Sequence, residues 1–150
     1  MKFFIAGIMQ GSFQGKGIQE QDYRQIIREA ILARHPEAEI VDPFSLFPDS
    51  VTYDDQRAKQ VLFEMAEAAG SADILIAYLP AASMGTALEM IRAYDNGKTI
   101  FSITTLRENW LIKALSAKIF TSLDEFCDWA KETDFTKLIN IARNKTKKVF

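Results

Sequence analysis

The chain has 150 residues, of which 48% are hydrophobic, and 18 basic against 20 acidic side chains give a net charge of −2. A chain of this length forms one domain with a sizeable core, so its stability requires no disulfide or structural metal. One cysteine and one histidine are too few for a Cys/His zinc site or a Ser-His-Asp or Cys-His triad. The near-zero charge argues against general binding of nucleic-acid polymers, which depends on neutralising phosphates.

No segment approaches the roughly 20 consecutive apolar residues of a membrane-spanning helix. Met1 and Lys2 lead directly into strand-like sequence, without the charged and apolar regions of a signal peptide. We therefore expect a cytoplasmic protein with no membrane partner.

Short apolar runs alternate with segments of helical periodicity along the chain. In chain order the pattern predicts a strand at 3–8, a helix at 23–35, a strand at 38–41, a helix at 54–70, a strand at 74–79, a helix at 83–97, a strand at 99–103, a helix at 110–115, a strand at 117–120 and a helix at 123–131. The run 74–79 has no polar alternation, which indicates a strand covered on both faces. The helix at 54–70 carries an apolar face formed by Ala58, Val61, Leu62, Met65 and Ala69.

Strands that alternate with helices of this length indicate right-handed βαβ units and a parallel sheet. We therefore predict an α/β fold of three layers, α/β/α, with five parallel strands, formed by residues 1–132 as a single domain. Residues 133–150 are less patterned and predict a C-terminal tail, either a solvated and partly frayed end or a basic arm. The basic side chains of this tail are Arg143, Lys145, Lys147 and Lys148.

Ligands of open parallel sheets bind beyond the carboxyl ends of the strands, so the loops there are the places to search. The loop after the first strand reads GIMQGSFQGKG and has four glycines in eleven residues, which permits close backbone approach to a ligand. Its spacing fits neither the G-x-G-x-x-G dinucleotide fingerprint nor a Walker loop. A flexible glycine-rich connection is the alternative interpretation.

The loop after the third strand carries the most informative pattern, Ser83-Met84-Gly85-Thr86-Ala87-Leu88-Glu89. Small and hydroxyl residues at a helix N-terminus favour an anion site, with free backbone N–H groups and the Ser83 hydroxyl as donors. The same helix end is expected to lower the pKa of Glu89 and to keep it ionised, as a carboxylate nucleophile requires. The alternative is structural, because Thr86-x-x-Glu89 also matches a capping box.

Three elements of the chain resemble the nucleoside 2-deoxyribosyltransferase-like family, which includes deoxynucleoside 5′-monophosphate N-glycosidases. They are the loop from Ile5 to Gly11, the stretch Ala72-Asp73-Ile74-Leu75-Ile76-Ala77, and Ser83-x-Gly85-x-x-x-Glu89. The resemblance implies a flavodoxin-like or Rossmann-like strand order and an enzyme that hydrolyses or transfers across an N-glycosidic bond. Glu89 would be the nucleophile of a retaining mechanism, which needs no cofactor or metal.

The resemblance also implies roles for individual side chains. Glu64 is the best candidate for the family's second carboxylate, with Asp54 and Asp55 behind it, and Asp73 is interpreted as structural. Ser83 matches the phosphate-contacting serine of the monophosphate branch. That branch has an arginine where Gln10 stands, so Lys16 or backbone amides would have to hold a phosphate. The implied substrate-binding residues are Gly7, Gln10, Gly11, Ser12, Lys16, Tyr23, Ser83, Gly85 and Asn109.

Some of these residues have a structural interpretation beside the functional one. Tyr23 lies in the apolar stripe of the first helix, which favours core packing. The resemblance implies a homodimer or higher homo-oligomer in which Asn109-Trp110 contributes to a neighbour's pocket, whereas ordinary capping by Asn109 with a core Trp110 is the alternative. The expected partner is a small-molecule nucleoside or nucleotide.

Two other functions remain open at this point. A non-catalytic nucleotide-binding or sensing domain of the same fold is favoured by Gln10 and by the unclear second carboxylate. A receiver-like signalling module would need an acidic cluster after the first strand, where Gly7-Ile8-Met9 stands instead.

Overall fold

Five parallel strands form the sheet at the centre of the protein. The computed structural model describes residues 1–10 and 17–139. The strands are β1 (Lys2–Gly7), β2 (Glu39–Val41), β3 (Ile74–Tyr78), β4 (Thr99–Ile103) and β5 (Lys118–Phe120). They pair in the order β2-β1-β3-β4-β5, which is the flavodoxin-like order. The predicted α/β class with a five-stranded parallel sheet is therefore confirmed.

Helices cover both faces of this sheet. They are α1 (Asp22–Arg34), α2 (Pro43–Leu46), α3 (Asp55–Ser71), α4 (Met84–Asp95), α5 (Trp110–Leu115) and α6 (Leu123–Glu132), with a 3-10 turn at Ser50–Thr52 and helical residues at 135–139. Side chains cap several helix starts; Asp54, for example, accepts a hydrogen bond from Arg57 N at 2.8 Å. Asn96 and Gly97 end α4, and Gly97 adopts a φ of 67° that favours glycine.

The alternation of side chains along β1 divides the core into two layers. Phe3 and Ile5 pack beneath α1 and α6, whereas Phe4 and Ala6 pack beneath α3 and α4. The strand β1 lies between β2 and β3. The connection from β1 to β2 and the connection from β2 to β3 therefore run on opposite faces of the sheet. The loops after β1 and β3 therefore diverge at one point of the sheet edge, where a crevice opens.

Two segments differ from the sequence-based expectation. Residues 43–52, which the periodicity leaves as a loop, contain α2 and the 3-10 turn because Asp42 caps a Pro43 start through Phe44 N at 3.1 Å. The expectation of a frayed end from 133 onward is wrong for residues 133–139, where Phe135 is fully buried. The four basic side chains predicted for the tail lie outside the described residues.

The segment 133–139 is held by packing and by a histidine. The Phe135 ring meets the Phe3 ring edge-on with centroids 5.1 Å apart, and it also contacts Phe101 and Trp129. The Phe135 N–H donates to His35 Nε2 at 3.2 Å. These contacts extend the globular body beyond residue 132. Across the described residues, no helix has the length and apolar character needed to cross a membrane.

Candidate functional site

A cleft of about 410 Å³ opens at the carboxyl edge of the sheet, where the loops after β1 and β3 diverge. Its walls come from the end of β1 and the residues after it, from the segment 43–53, from α3 and from the start of α4. The lining residues are Gly7, Met9, Gln10, Pro43, Phe47, Ser50, Val51, Tyr53, Ala58, Lys59, Val61, Leu62, Met65, Ser83, Met84, Gly85, Thr86 and Glu89. The volume and position are those of a small-molecule site.

Glu89 is the only carboxylate among the described residues that line this cleft. It is partly buried and lies in the second turn of α4, on the same helix face as Gly85 and Thr86. Among residues 1–10 and 17–139, its carboxylate forms neither a hydrogen bond nor an ion pair. An unpartnered carboxylate at the wall of a cleft is available to a ligand.

The N-terminus of α4 supplies hydrogen-bond donors one turn before Glu89. Ser83 caps the helix by accepting from Thr86 N at 3.3 Å, which leaves its own hydroxyl proton for another partner. The Thr86 side chain is buried, and its Oγ1 has no hydrogen-bond partner among the described residues. A side chain at Gly85 would meet open space, so the backbone there faces the cleft without cover. A buried hydroxyl left without a partner is unusual, and an ordered water, an ion or a polar ligand atom would satisfy it.

The opposite wall of the cleft is apolar and is formed mainly by α3 and the segment before it. Phe47, Val51, Tyr53, Val61, Leu62 and Met65 contribute to this apolar wall. The Arg57 guanidinium lies 5.6 Å from the ring centroids of both Phe47 and Tyr53, which holds the two rings together. Lys59 is exposed at the rim and brings an ammonium group to the cleft. The cleft therefore has one apolar side and one donor-rich side.

Beneath the cleft, a buried ion pair joins the first helix to the ends of two strands. Arg24 Nη1 lies 2.8 Å from Asp42 Oδ1 and donates at 3.0 Å to the carbonyl of Ile5, while Nη2 donates to the carbonyl of Gly7 at 3.3 Å. The adjacent Tyr23 hydroxyl lies so close to Gly7 that a Cβ at this position would collide with it. Glycine is required there because the tyrosine occupies the space of a side chain.

The pKa of Glu89 is raised to about 8, chiefly because burial disfavours its charged form, while the Arg24 guanidinium counteracts part of this rise. The expectation that the helix end lowers this pKa is therefore wrong. Glu89 lies six residues after the capping Ser83, beyond the first turn in which the helix end acts strongly. The capping-box interpretation is also wrong, because Ser83, not Thr86, caps the helix.

Of the other predicted carboxylates, none lines the cleft. Glu64 is exposed on the outer side of α3, because the inward positions on that helix are taken by Val61 and Met65. Asp54 is used as the cap of α3, and Asp55 is exposed in its first turn. The structure thus brings Gly7, Gln10, Ser83, Gly85 and Glu89 together, with no second acidic group among the described lining residues.

The remaining predicted residues have varied positions. Asp73 has a structural role, because its Oδ2 accepts from Lys2 N at 2.9 Å at the start of β1. Tyr23 is buried and stacks on Tyr78 with ring centroids 4.2 Å apart, which confirms core packing. Asn109 caps α5, as the structural alternative predicts. Trp110 is 88% exposed, so its predicted place in the core is wrong.

Three predicted residues, Gly11, Ser12 and Lys16, lie outside the described residues. In the part of the chain that is described, no group of three His, Cys, Asp or Glu side chains is placed to hold a metal ion.

Sequence reasoning missed Arg24, Asp42, Lys59 and the orphaned hydroxyl of Thr86. Arg24 does carry a signal, because it precedes Ile27 and Ile31 by three and seven positions and so lies on the inner face of α1. An arginine on such a face calls for a buried acid, and Asp42 at the end of the second strand is the nearest candidate in the predicted layout. Lys59 and Thr86 carry no comparable signal.

Comparison with known proteins identifies the fold. No family model and no curated protein sequence matches the chain. A solved 2-deoxyribosyltransferase from the psychrotolerant bacterium Bacillus psychrosaccharolyticus superposes with a TM-score of 0.64 at 18% identity, covering 92% of this chain and 96% of that one. A conserved protein from Enterococcus faecalis V583 gives a TM-score of 0.61 at 19% identity, covering 88% and 98%. The chain therefore has the fold of a 2-deoxyribosyltransferase, which confirms the resemblance at the level of the fold.

Proposed function

We propose that the protein cleaves the N-glycosidic bond of a nucleoside, a deoxynucleoside or one of their 5′-monophosphates, by hydrolysis or by transfer, with Glu89 as nucleophile. The observation that carries this proposal is the unpartnered Glu89 carboxylate in a cleft with one apolar and one donor-rich wall. A nucleobase fits the apolar wall, and the sugar then lies between it and α4. The fold shared with a 2-deoxyribosyltransferase supports the same chemistry.

The reaction proceeds in two displacements. A Glu89 carboxylate oxygen bonds to the anomeric carbon while the bond to the base nitrogen breaks, and the electron pair leaves with the base, which takes a proton from solvent. Water or a second base then attacks the same carbon, loses its proton to solvent and releases the Glu89 carboxylate. Only ionised Glu89 can attack, and its pKa is about 8, so base release rises with pH up to and beyond neutrality.

The donor-rich wall supports a 5′-monophosphate as substrate. The N–H groups of Met84 and Gly85 precede the first hydrogen-bonded turn of α4 and have no acceptor in the described part of the chain. The free proton of Ser83, the orphaned hydroxyl of Thr86 and the Lys59 ammonium add three further donors. The donors on α4 lie about one helical turn from Glu89, which leaves room for a ribose between phosphate and nucleophile, and Lys59 stands at the rim on α3.

Base release from a panel of nucleosides and their 5′-monophosphates tests the assignment of Glu89. We expect release with wild type, loss to background in Glu89→Gln and unchanged release in Glu64→Gln, the matched exposed control on α3. A 2-fluoro sugar analogue slows the second displacement, so mass spectrometry should detect a glycosyl adduct on wild type and none on Glu89→Gln. Wild-type activity in Glu89→Gln excludes this nucleophile.

The role of the phosphate is tested at Lys59 and Thr86. We expect Lys59→Ala and Thr86→Val each to raise KM for the best monophosphate by about tenfold, in line with the loss of one hydrogen bond to a charged group. KM for the corresponding nucleoside should stay unchanged. Lys113→Ala, which removes an exposed lysine of α5, is the control. Equal effects on nucleoside and monophosphate contradict phosphate binding at this wall.

A second candidate function is nucleotide sensing without turnover. The observation that favours it is the absence of a second carboxylate among the described lining residues, together with a Glu89 pKa of about 8. A protonated Glu89 can donate to a ligand but cannot attack it. Calorimetry that shows nucleotide binding, with no free base on chromatography between about pH 6 and pH 9, identifies the sensor.

We further propose that the chain forms a homodimer or higher homo-oligomer in the cytoplasm. The helices α3 and α4 expose apolar side chains, namely Phe63, Ile91 and Tyr94. Trp110, which follows Asn109 at the start of α5, is also exposed. Asn109 and Trp110 remain the proposed contributors to a neighbour's cleft. Light scattering should give a molar mass that is a multiple of the 17.0 kDa chain mass. The double variant Phe63→Lys/Tyr94→Lys should have a lower molar mass than wild type. A wild-type monomer contradicts the proposal.

A further inference from the structure

The segment 43–53 forms much of the apolar wall of the cleft, but its hydrogen bonds are local. Every hydrogen bond that residues 44–53 make within the described part of the chain ends at a residue between 42 and 53. A segment without hydrogen bonds to the body of a protein is held in place by its side-chain contacts. The contacts that hold this segment therefore determine the shape of the wall.

Two aromatic rings of the segment, those of Phe47 and Tyr53, line the cleft and pack, partly buried, against the core layer beneath α3 and α4. The Arg57 guanidinium lies 5.6 Å from the centroid of each ring, which is within the range of cation–π attraction. Arg57 belongs to the first turn of α3, where its N–H donates to the capping Asp54 at 2.8 Å. A cation on a capped helix end thus contacts both rings.

The guanidinium of Arg57 is not used elsewhere in the described part of the chain. Arg57 is exposed and takes part in none of the ion pairs of the described residues. It is also absent from the described lining of the cleft. The rings of Phe47 and Tyr53 are therefore the described partners of this charge.

The wall formed by the segment 43–53 suits the flat face of a base better than its edge. The polar side chains that the segment contributes to the lining are those of Ser50 and Tyr53. A hydroxyl both donates and accepts, so neither side chain distinguishes an amino group from a keto group. Stacking on aromatic rings tolerates every base, because each base has a π-face. The wall can therefore bind a base without selecting for its hydrogen-bonding groups.

We propose that Arg57 is a positioning residue that fixes Phe47 and Tyr53 as one stacking face for the base, and that this face accepts purines and pyrimidines alike. The use of the face for a base rests on the proposed function, whereas the contact between Arg57 and the rings does not. Arg57 acts through the rings and not through Glu89. Its loss should therefore weaken binding of the base and leave the rate of bond cleavage unchanged.

The contact is tested without a ligand by ¹⁹F NMR of protein labelled with 3-fluorotyrosine. The Tyr53 signal, assigned by its absence in Tyr53→Phe, should shift in Arg57→Met, which keeps a long apolar side chain but removes the charge. Arg28→Met, which removes an exposed arginine of α1 on the other face of the sheet, should leave the signal unchanged. An unmoved Tyr53 signal in Arg57→Met overturns the inference.

The role in base binding is tested by calorimetry. The ligands are deoxyadenosine, deoxyguanosine, deoxycytidine and thymidine, their 5′-monophosphates, and 2-deoxyribose 5-phosphate, which has no base. We expect Arg57→Met to raise Kd by about threefold to tenfold for every ligand with a base, as the loss of a cation–π contact would. Kd for 2-deoxyribose 5-phosphate should stay unchanged. Arg57→Lys, which keeps a cation, should recover part of the loss, and Arg28→Met should bind like wild type.

The ligand without a base separates stacking from attraction of a phosphate. An equal loss of affinity for 2-deoxyribose 5-phosphate overturns the inference, and so does a loss confined to one base or a wild type that binds none of the ligands with a base. Weaker binding by Arg57→Met, with no base release from wild type, would sustain the inference and refute the proposed function. Base release from wild type, with unchanged Kd and KM in Arg57→Met, would refute the inference alone.

Discussion

Replacing Glu89 with glutamine should change how the stability of the protein depends on pH. Burial raises the pKa of this carboxyl from 4.5 to about 8, against the smaller opposing effect of Arg24. Between these two values the folded state holds a proton that the unfolded chain has released. Folding stability therefore falls as pH rises through this window in wild type, and the Glu89→Gln variant is free of this loss.

The size of the effect follows from the linkage. One pKa unit corresponds to about 1.4 kcal/mol. Between about pH 5 and pH 7, wild type should lose up to about 2.5 kcal/mol of unfolding free energy relative to Glu89→Gln. For a chain of this length the difference corresponds to a relative rise in Tm of about 5–10 °C for the variant at neutral pH.

Urea unfolding of wild type and Glu89→Gln at several pH values between about 5 and 8 measures this difference. Glu64→Gln is the matched control, because the same substitution at an exposed position of α3 should give a curve parallel to that of wild type. Parallel curves for wild type and Glu89→Gln would show that Glu89 titrates in its ordinary range. The argument from burial at the cleft would then be refuted.

Three further variants test the packing that surrounds the site. Gly7→Ala should destabilise the protein by about 1–3 kcal/mol in urea unfolding, because its Cβ collides with the Tyr23 ring; wild-type stability contradicts the close approach. Gly97→Ala should cost about 1 kcal/mol because of the positive φ, and a gain in stability would count against that conformation. Phe135→Ala should cost about 3–5 kcal/mol as a buried aromatic, whereas a value below about 1 kcal/mol would place residue 135 outside the core.

The strands, and the carboxyl edge of the sheet that carries the site, can be predicted from the local hydrophobic pattern of the sequence. Short runs rich in apolar and β-branched residues predict β1, β3 and β4 to within about a residue at each end, and parallel pairing then brings the loops after them to one edge. Helical periodicity also predicts which side chains of a helix face outward. With Val61 and Met65 directed inward, the periodicity of α3 already places Glu64 on the outer face.

The environment of Glu89 could not be predicted in the same way. Its pKa depends on burial by a cleft built from several elements, and on Arg24, which lies 65 positions earlier in the chain. Such a long-range electrostatic effect has no local pattern, since it arises only when β1 and β3 pair. The same is true of the packing of Phe135 against Phe3, which joins two ends of the described chain.

The contact between Phe3 and Phe135 has a consequence for biosynthesis. Every described lining residue of the cleft lies before residue 90, so a nascent chain acquires all of its described cleft residues well before the aromatic layer beneath α1 and α6 can close. Until residue 135 leaves the ribosome, the ring faces of Phe3 and Phe101 lack their cover. An early-formed central strand with one open apolar face is a point at which chaperones would engage the growing chain.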